Sequence, residues 1–187
     1  YYINLCINNN LSKRELIKEI KSNSYERLID KPEKIGIELP KKYLITTNMK
    51  NPILIPVSHE VKTEHDLELN ILANLDFFFK QLGNGFTYVG HQYKLTKNNH
   101  NYYIDILLFN IELNCYVIVE LKLRSLKKED KLKIEFYMNL VDELIKKPFH
   151  NKTIGLLITK ESDVFVVNFV RGDSIIPLDY KLIKSEL

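Results

Sequence analysis

Two neighbouring stretches decide the fold of this chain: YYIDILLF, residues 102–109, and CYVIVELKL, residues 115–123. Both are rich in β-branched, aromatic and other apolar residues, which is typical of strands. Yet they contain three charged residues, Asp105, Glu120 and Lys122. Charged side chains are almost never fully buried unless they are paired or bound to a metal. The three charges therefore indicate either a cross-strand ion pair on a solvated face or a chemical site.

The register of the two strands decides whether the charges meet. Residues 110–114 are a short connection that contains two asparagines, which favour turns. With the turn centred between Glu112 and Leu113, Asp105 and Glu120 are equally far from it and would face each other. Side chains alternate along a strand, so Lys122 would share the face of Glu120. A slip of one residue in the turn would destroy this arrangement.

Two facing carboxylates and an ammonium suit chemistry at a divalent cation. Opposed carboxylates repel each other unless one is protonated or a cation lies between them. Mg²⁺ accepts one or two carboxylates together with phosphate oxygens and water, and Mn²⁺ is the alternative ion. We expect Asp105, Glu120 and the carbonyl of Leu121 to hold the metal. Lys122 would orient or deprotonate the attacking water, or stabilise charge on the phosphate.

The surrounding pattern predicts an α/β fold. Apolar residues recur at helical spacing in residues 64–82, and a second helix is predicted for residues 125–147. Short apolar strands are predicted at residues 154–158 and 164–169. A helix between the Glu-x-Lys strand and the next strand suits a parallel crossover. We therefore expect a mixed β-sheet core flanked by helices.

The Asp and Glu-x-Lys strands resemble those of the PD-(D/E)xK nuclease superfamily. Residues 82–93, before the Asp strand, and residues 135–142, after the Lys, are similar to the YhcG-type nuclease-like family. The resemblance implies a restriction-endonuclease-like fold and a metal-dependent nuclease in a bacterial cytoplasm. It also implies a further catalytic carboxylate on the first helix, where Glu68 matches, with Glu64 as the fallback. Relatives often carry Gln at the position of Lys133.

The first 58 residues are predicted to lie outside the nuclease-like domain of residues 59–187. Ser12 and Glu15 have the spacing of a capping box, which predicts a helix from Ser12 to about Arg27. Four prolines between Lys31 and Pro56 exclude long regular elements. We therefore expect a partial N-terminal helical segment and a proline-containing connector. The resemblance implies a DNA-binding or partner-binding role for this segment.

Basic residues gather just past the Glu-x-Lys strand, although the net charge of the whole chain is only +3. Such a cluster would contact the phosphate backbone of DNA, or it is an ordinary solvated start of a helix. Besides Lys122, the cluster comprises Arg124, Lys127, Lys128, Lys131 and Lys133.

Composition limits the remaining alternatives. No apolar run approaches the roughly 18 residues that a membrane-spanning helix needs, and the two cysteines lack the spacing of metal ligands. We expect a cytoplasmic protein with DNA as its partner and no membrane association, and a homodimer is compatible with the sequence. The leading hypothesis is a divalent-metal-dependent nuclease that hydrolyses phosphodiester bonds in DNA. The alternative is a catalytically silent nuclease-fold module that binds nucleic acid or a protein.

Overall fold

A mixed sheet of six strands forms the centre of the computed structural model, which describes residues 2, 12–21, 49–161, 163–171 and 174–184. The strands are β1 (Ile53–Val57), β2 (Phe86–Lys97), β3 (His100–Asn110), β4 (Cys115–Ser125), β5 (Ile154–Lys160) and β6 (Ile175–Lys184). Their spatial order is β1-β6-β5-β4-β3-β2. β2, β3 and β4 are antiparallel neighbours, whereas β4, β5, β6 and β1 pair in parallel. The mixed α/β sheet predicted from the sequence is confirmed.

Helices cover both faces of this sheet. The described helices around the sheet are α2 (Glu64–Ala73), α3 (Leu75–Leu82), α4 (Lys128–Leu144) and α5 (Val164–Val170), and helix α1 (Lys13–Lys21) belongs to a separate compact unit. Val117 and Val119 of β4 belong to the core cluster that contains residues of α2 and α3. Ile118, between them, belongs to a second cluster with α4. β4 is therefore buried on both faces, which explains its nearly continuous apolar sequence. Within the described ranges, no helix combines the length and the apolarity needed to cross a membrane.

The hairpin of β3 and β4 has the predicted register. Asn110 pairs with Cys115, and the ladder continues to the pair of Ile106 and Val119. These pairs place the turn centre between Glu112 and Leu113, as the sequence predicts. The paired ladder ends one step before Asp105 and Glu120.

Two predicted elements differ from the structure. The helix predicted over residues 64–82 is broken at Asn74, whose backbone N–H donates to Ile71 O and whose carbonyl accepts from Phe78 N. The strand predicted over residues 164–169 is wrong, because these residues form most of helix α5. This segment connects the parallel strands β5 and β6, and parallel neighbours require a crossover connection.

The domain boundary also differs from the prediction near Ser58. The chain divides into two compact units, Tyr1–Lys41 and Lys42–Leu187. Strand β1, which lies before Ser58, pairs with β6 and so belongs to the second unit. Pro56 is tolerated in this strand because β1 is at the edge of the sheet, where a missing backbone donor interrupts no interior ladder.

The described part of the first unit includes the predicted capping box. Ser12 donates to Glu15 Oε2 from its backbone N (2.8 Å) and from its Oγ (2.6 Å), and Glu15 N donates back to Ser12 Oγ (3.4 Å). Helix α1 follows from Lys13. Its predicted continuation to Arg27, and the connector up to residue 48, lie outside the described residues.

Helix α4 lies unusually close to strand β5 at Gly155. A Cβ atom on this residue would lie 2.6 Å from Ile134 Cδ1 and 3.0 Å from Met138 Sδ. Side-chain carbon atoms do not approach so closely, so the contact requires the missing Cβ of glycine. The glycine thereby leaves room for the side chain of Ile134, the residue that follows Lys133 on α4.

Candidate active site

The carboxylate of Asp105 lies beside the backbone of the next strand. Its Oδ2 accepts a hydrogen bond from the backbone N–H of Leu121 at 2.9 Å. Burial, and after it the negative charge of Glu120, raise the pKa of Asp105 from its ordinary value of 3.8 to about 6. The hydrogen bond from Leu121 and the charges of Lys122 and Lys133 only partly offset these effects. Asp105 is therefore a carboxylate whose charge the metal-free protein stabilises poorly.

Glu120 is buried and only half satisfied. Its side chain is 1% exposed, and its Oε1 accepts from Lys122 Nζ at 2.8 Å and also from Lys133 Nζ. Its Oε2 is buried and has no hydrogen-bond partner among the described residues. Leaving a buried charged oxygen unpaired is unfavourable, so this atom indicates a missing ligand or a missing solvent molecule.

Lys122 is held by three acceptors. Its Nζ donates to Glu120 Oε1 and to Leu121 O at 2.8 Å each, and to Glu64 Oε2 at 2.9 Å. Burial lowers the pKa of Lys122, but hydrogen bonds and charge interactions with Glu120 and Glu64 outweigh it and leave the pKa above 10.5. Lys122 is therefore a fixed positive charge at neutral pH. The carbonyl of Leu121 accepts a hydrogen bond from this ammonium group, and its role as a metal ligand stays a prediction.

The two carboxylates of helix α2 have different neighbours. Glu64, the fallback position, contacts Lys122, whereas Glu68 contacts Gln92. Gln92 Nε2 donates to Glu68 Oε2 at 2.5 Å, and His65 Nδ1 lies 3.7 Å from the same oxygen. The other oxygen, Glu68 Oε1, is buried and unpartnered within the described part of the chain. Glu68 thus shares with Glu120 the property of one orphaned oxygen.

Gln92 is a site residue that sequence reasoning did not select. It lies between His91, which pairs with Ile106, and Tyr93, which pairs with Ile104, so its position on β2 is opposite Asp105. Its φ of 42° marks an irregular backbone in the strand. The signal was present in the sequence, because the turn at residues 98–99 sets this register just as the next turn aligns β3 and β4.

The basic residues after β4 fall into different environments. Arg124 forms a two-pronged ion pair with Asp130, at 2.8 Å (Nη1 to Oδ2) and 2.7 Å (Nη2 to Oδ1). The backbone N–H of Lys127 also donates to Asp130 Oδ2 at 2.8 Å. Arg124 therefore anchors the start of α4, and Lys133 contacts Glu120. The side chains of Lys127 and Lys128 are exposed and that of Lys131 is partly exposed. DNA contact by any of the five residues stays a prediction.

The donor chemistry of the site fits a divalent cation. Asp105 and Glu120 provide hard carboxylate oxygens of the kind that Mg²⁺ and Mn²⁺ bind. The orphaned Oε2 of Glu120 and the raised pKa of Asp105 are both unfavourable features that a cation would relieve. In the described ranges, however, no three or more His, Cys, Asp or Glu side chains are arranged as a metal-binding group.

A mixed sheet flanked by helices, with Asp and Glu-x-Lys on adjacent strands, defines a protein of the PD-(D/E)xK nuclease class. Residues 47–180 match the family model described as the YhcG PDDEXK nuclease domain. This match covers more than half of the chain, and the chain belongs to this family. The resemblance seen in the sequence is confirmed.

Similar proteins include one curated relative and several solved structures. The chain is 26% identical over 182 residues to "Putative nuclease YhcG" of Escherichia coli (strain K12), a match that covers 91% of this chain and 48% of the relative. The chain thus spans about half of that relative's length.

Two solved structures are similar to part of this chain. A repair endonuclease from Pyrococcus abyssi has 13% identity and a TM-score of 0.45, covering 68% of this chain and 50% of that chain. An EndoMS complex with double-stranded DNA has 14% identity and a TM-score of 0.45, covering 67% and 47%. Similarity at this level has no bearing on activity.

Proposed function

We propose that this chain is a divalent-metal-dependent nuclease that hydrolyses phosphodiester bonds in DNA. The observation that carries the proposal is the buried Glu120 carboxylate, which has one orphaned oxygen and the high-pKa carboxyl of Asp105 as its neighbour. A purely structural ion pair would satisfy both carboxylate oxygens. Perturbed carboxyl groups next to a fixed ammonium are typical of catalytic sites.

The residues of the site divide the work between metal binding and charge stabilisation. Asp105 and Glu120 would hold the ion, which when bound would act as a Lewis acid on phosphate oxygen and lower the pKa of water. Lys122 supplies a fixed positive charge for the negative charge that develops on the phosphate. Its raised pKa favours this role, or orientation of the water, over removal of a proton.

Glu68 is proposed as a supporting carboxylate. Gln92 holds its Oε2, which leaves Oε1 available to bind the ion or to accept a hydrogen bond from a reacting water. Gln92 would thus position Glu68 from the strand location opposite Asp105. Glu64, in contact with Lys122, would fix the ammonium rather than touch the substrate.

DNA is the proposed substrate, and the start of helix α4 is the proposed contact surface. Lysine side chains there would bind backbone phosphates without reading sequence. The proposed contacts are Lys127, Lys128 and Lys131, with Arg124 and Lys133 engaged inside the protein in the absence of substrate. The N-terminal unit would add a DNA-binding or partner-binding function, and the bacterial cytoplasm is the proposed setting.

Cleavage assays test the proposal directly. The purified chain is incubated with Mg²⁺ or Mn²⁺ and with supercoiled, linear or branched DNA, and with RNA of the same sequence. We expect metal-dependent cleavage of DNA that is lost in Asp105→Ala and Lys122→Ala, while circular dichroism shows that both variants fold. Lys147→Gln, which removes an exposed charge beyond α4, is the control. Full activity in either site variant would contradict the proposal.

One observation favours a second candidate, the catalytically silent module. Two lysine ammonium groups already neutralise the charge of Glu120, as ion pairs without a metal do. Calorimetry separates the two functions. A silent module would bind DNA but take up no Mn²⁺ even when DNA is present, whereas a nuclease would bind the ion.

A further inference from the structure

Two lysines share one oxygen of Glu120, but their surroundings differ. The side chain of Lys122 is 8% exposed and that of Lys133 is 45% exposed. Lys122 comes from the same strand as Glu120 and is held by three acceptors. Lys133 reaches the same oxygen from α4. Only Lys133 therefore has both the solvent access and the freedom to leave without breaking a buried network.

The charges of the site show why one ammonium would have to leave. The metal-free site contains the carboxyl groups of Asp105, Glu120 and Glu64, with two ammonium groups among them. Adding a divalent cation next to both ammonium groups would place like charges close together in a partly buried site, where screening is weak. Releasing the exposed ammonium relieves this repulsion and frees Glu120 Oε1 for the ion.

The ammonium group of Lys133 already lies near an aromatic ring while it contacts Glu120. Its Nζ lies 5.6 Å from the ring centroid of Tyr137, one helical turn further along α4. A lysine can interact favourably with the face of an aromatic ring at this distance, and its long side chain also reaches solvent. The released ammonium would therefore stay at the edge of the site, where phosphate groups of a substrate would attract it.

We propose that Lys133 is an exchangeable counter-ion, which neutralises Glu120 in the metal-free protein and is displaced when a divalent cation binds. The inference rests on the proposed function, since it requires that Glu120 is a metal ligand. It assigns Lys133 a role distinct from that of Lys122: Lys133 positions no reacting atom but lowers the affinity of the site for metal. The ion pair must be broken on metal binding, and charge-assisted pairs of this kind are the strong ones.

Mn²⁺ binding to the whole chain tests the proposal without any measurement of cleavage. Isothermal titration with Mn²⁺ alone is carried out on the unmodified protein and on Lys133→Gln, Lys133→Arg and Lys147→Gln. We expect Lys133→Gln to bind Mn²⁺ about tenfold more tightly, a factor equivalent to ~1.4 kcal/mol. Lys133→Arg retains the positive charge and should keep the weaker affinity. Lys147→Gln removes one exposed charge elsewhere and should bind as the unmodified protein does.

The outcomes separate this inference from the proposed function. If the unmodified chain binds Mn²⁺ and Lys133→Gln binds it equally well or more weakly, the counter-ion role is wrong and the nuclease proposal stands. If Lys133→Gln binds more tightly but no variant cleaves nucleic acid, the counter-ion role stands and the nuclease proposal fails. Absence of Mn²⁺ binding in both proteins overturns the two together.

Discussion

Two buried carboxylates near the end of β4 have opposite electrostatic environments. Asp130 is 4% exposed and Glu120 is 1% exposed. Both oxygens of Asp130 accept from the fork of Arg124, and one also accepts from a backbone N–H. Burial raises the pKa of Asp130, but the Arg124 pair and the Lys127 N–H outweigh it and lower the pKa below 3.8. At Glu120, one oxygen is crowded with donors and the other has none.

The comparison separates a structural ion pair, in which every carboxylate oxygen has a donor, from a site in which one carboxylate oxygen has no partner in the part of the chain that the structure describes. A fully satisfied network strengthens the fold, whereas a partly satisfied one costs stability unless something else completes it. The Asp130 network closes the start of α4, and nothing about it calls for a ligand. The Glu120 site leaves an oxygen orphaned and its neighbour Asp105 with a raised pKa, so it is the one to expect at a functional centre.

The largest expected difference between the two carboxylates is in catalysis. Glu120→Gln keeps the shape of the side chain but removes its charge, and it should lower DNA cleavage by about 10²–10⁴-fold, the range typical of lost acid–base or charge-stabilising groups. Asp130→Asn should change the rate per folded molecule far less. Single-turnover cleavage rates with saturating Mg²⁺ measure both. Equal losses in the two variants would remove the distinction.

At Asp130 we expect a loss of stability rather than a loss of catalysis. Asp130→Asn breaks the pair with Arg124 and weakens the cap of α4, and we expect the free energy of unfolding to fall by ~2 kcal/mol at pH 7. Arg124 is partly exposed, so solvent screening keeps the effect below that of a fully buried pair. Because the folded pKa of Asp130 is lowered, its stabilising effect exists above pH 3.8 and is lost as the pH falls further. Urea unfolding should therefore show a smaller difference in the free energy of unfolding between Asp130→Asn and the unmodified protein at pH 3 than at pH 7.

Removing the charge of Asp105 should stabilise the metal-free protein. Its folded pKa of about 6 exceeds the ordinary 3.8, so the folded state holds its proton more tightly and loses stability as the pH rises between these values. We expect Asp105→Asn to raise the free energy of unfolding by ~1–2 kcal/mol at pH 7 and to have no effect below pH 4. Thermal unfolding in chelator across this pH range measures the effect. A loss of stability at pH 7 would mean that the hydrogen bond from Leu121 outweighs the charge.

The smallest expected effect concerns two lysines at the start of α4. Lys128→Gln combined with Lys131→Gln should weaken DNA binding several-fold and reduce the slope of log affinity against log salt by about 1–2. Fluorescence anisotropy with a DNA duplex at several salt concentrations gives this slope. Lys80→Gln combined with Lys152→Gln removes the same charge from exposed positions elsewhere and is the control. An unchanged slope would exclude the start of α4 as a phosphate contact.

Local sequence signals predicted the part of the site that lies within one hairpin. The turn centre and the period of two place Asp105 near Glu120, and both quantities can be read from fifteen or so consecutive residues. Glu64 was only the fallback for the further carboxylate of α2, because helical spacing does not show which turn of α2 lies above the strand. The structure places Glu64 in contact with Lys122. Gln92 was not predicted as a site residue, because an uncharged polar side chain on a partly exposed strand is common and does not indicate a site.

Contacts between distant elements were not predictable in the same way. The contact of Lys133 with Glu120 depends on how α4 packs on the sheet. The strand predicted at residues 164–169 was wrong because a short valine-rich run fits the spacing of a strand and of a buried helix equally well. These residues form a helix, and they connect the parallel strands β5 and β6, which need a crossover connection. Pro56 concealed β1 for a similar reason, since only the tertiary structure shows that this strand lies at an edge.

The close contact at Gly155 links a buried, uncharged position to the surroundings of Glu120. Because Gly155 has no side chain, Ile134 packs directly against β5. The neighbouring residue on α4, Lys133, contacts Glu120. We expect a methyl group at residue 155 to displace the side chains of Ile134 and Met138, the first of which directly follows Lys133 on α4. If Lys133 acts as the proposed counter-ion, a substitution at this uncharged, buried position would change the metal affinity of the site while every charged residue stays the same.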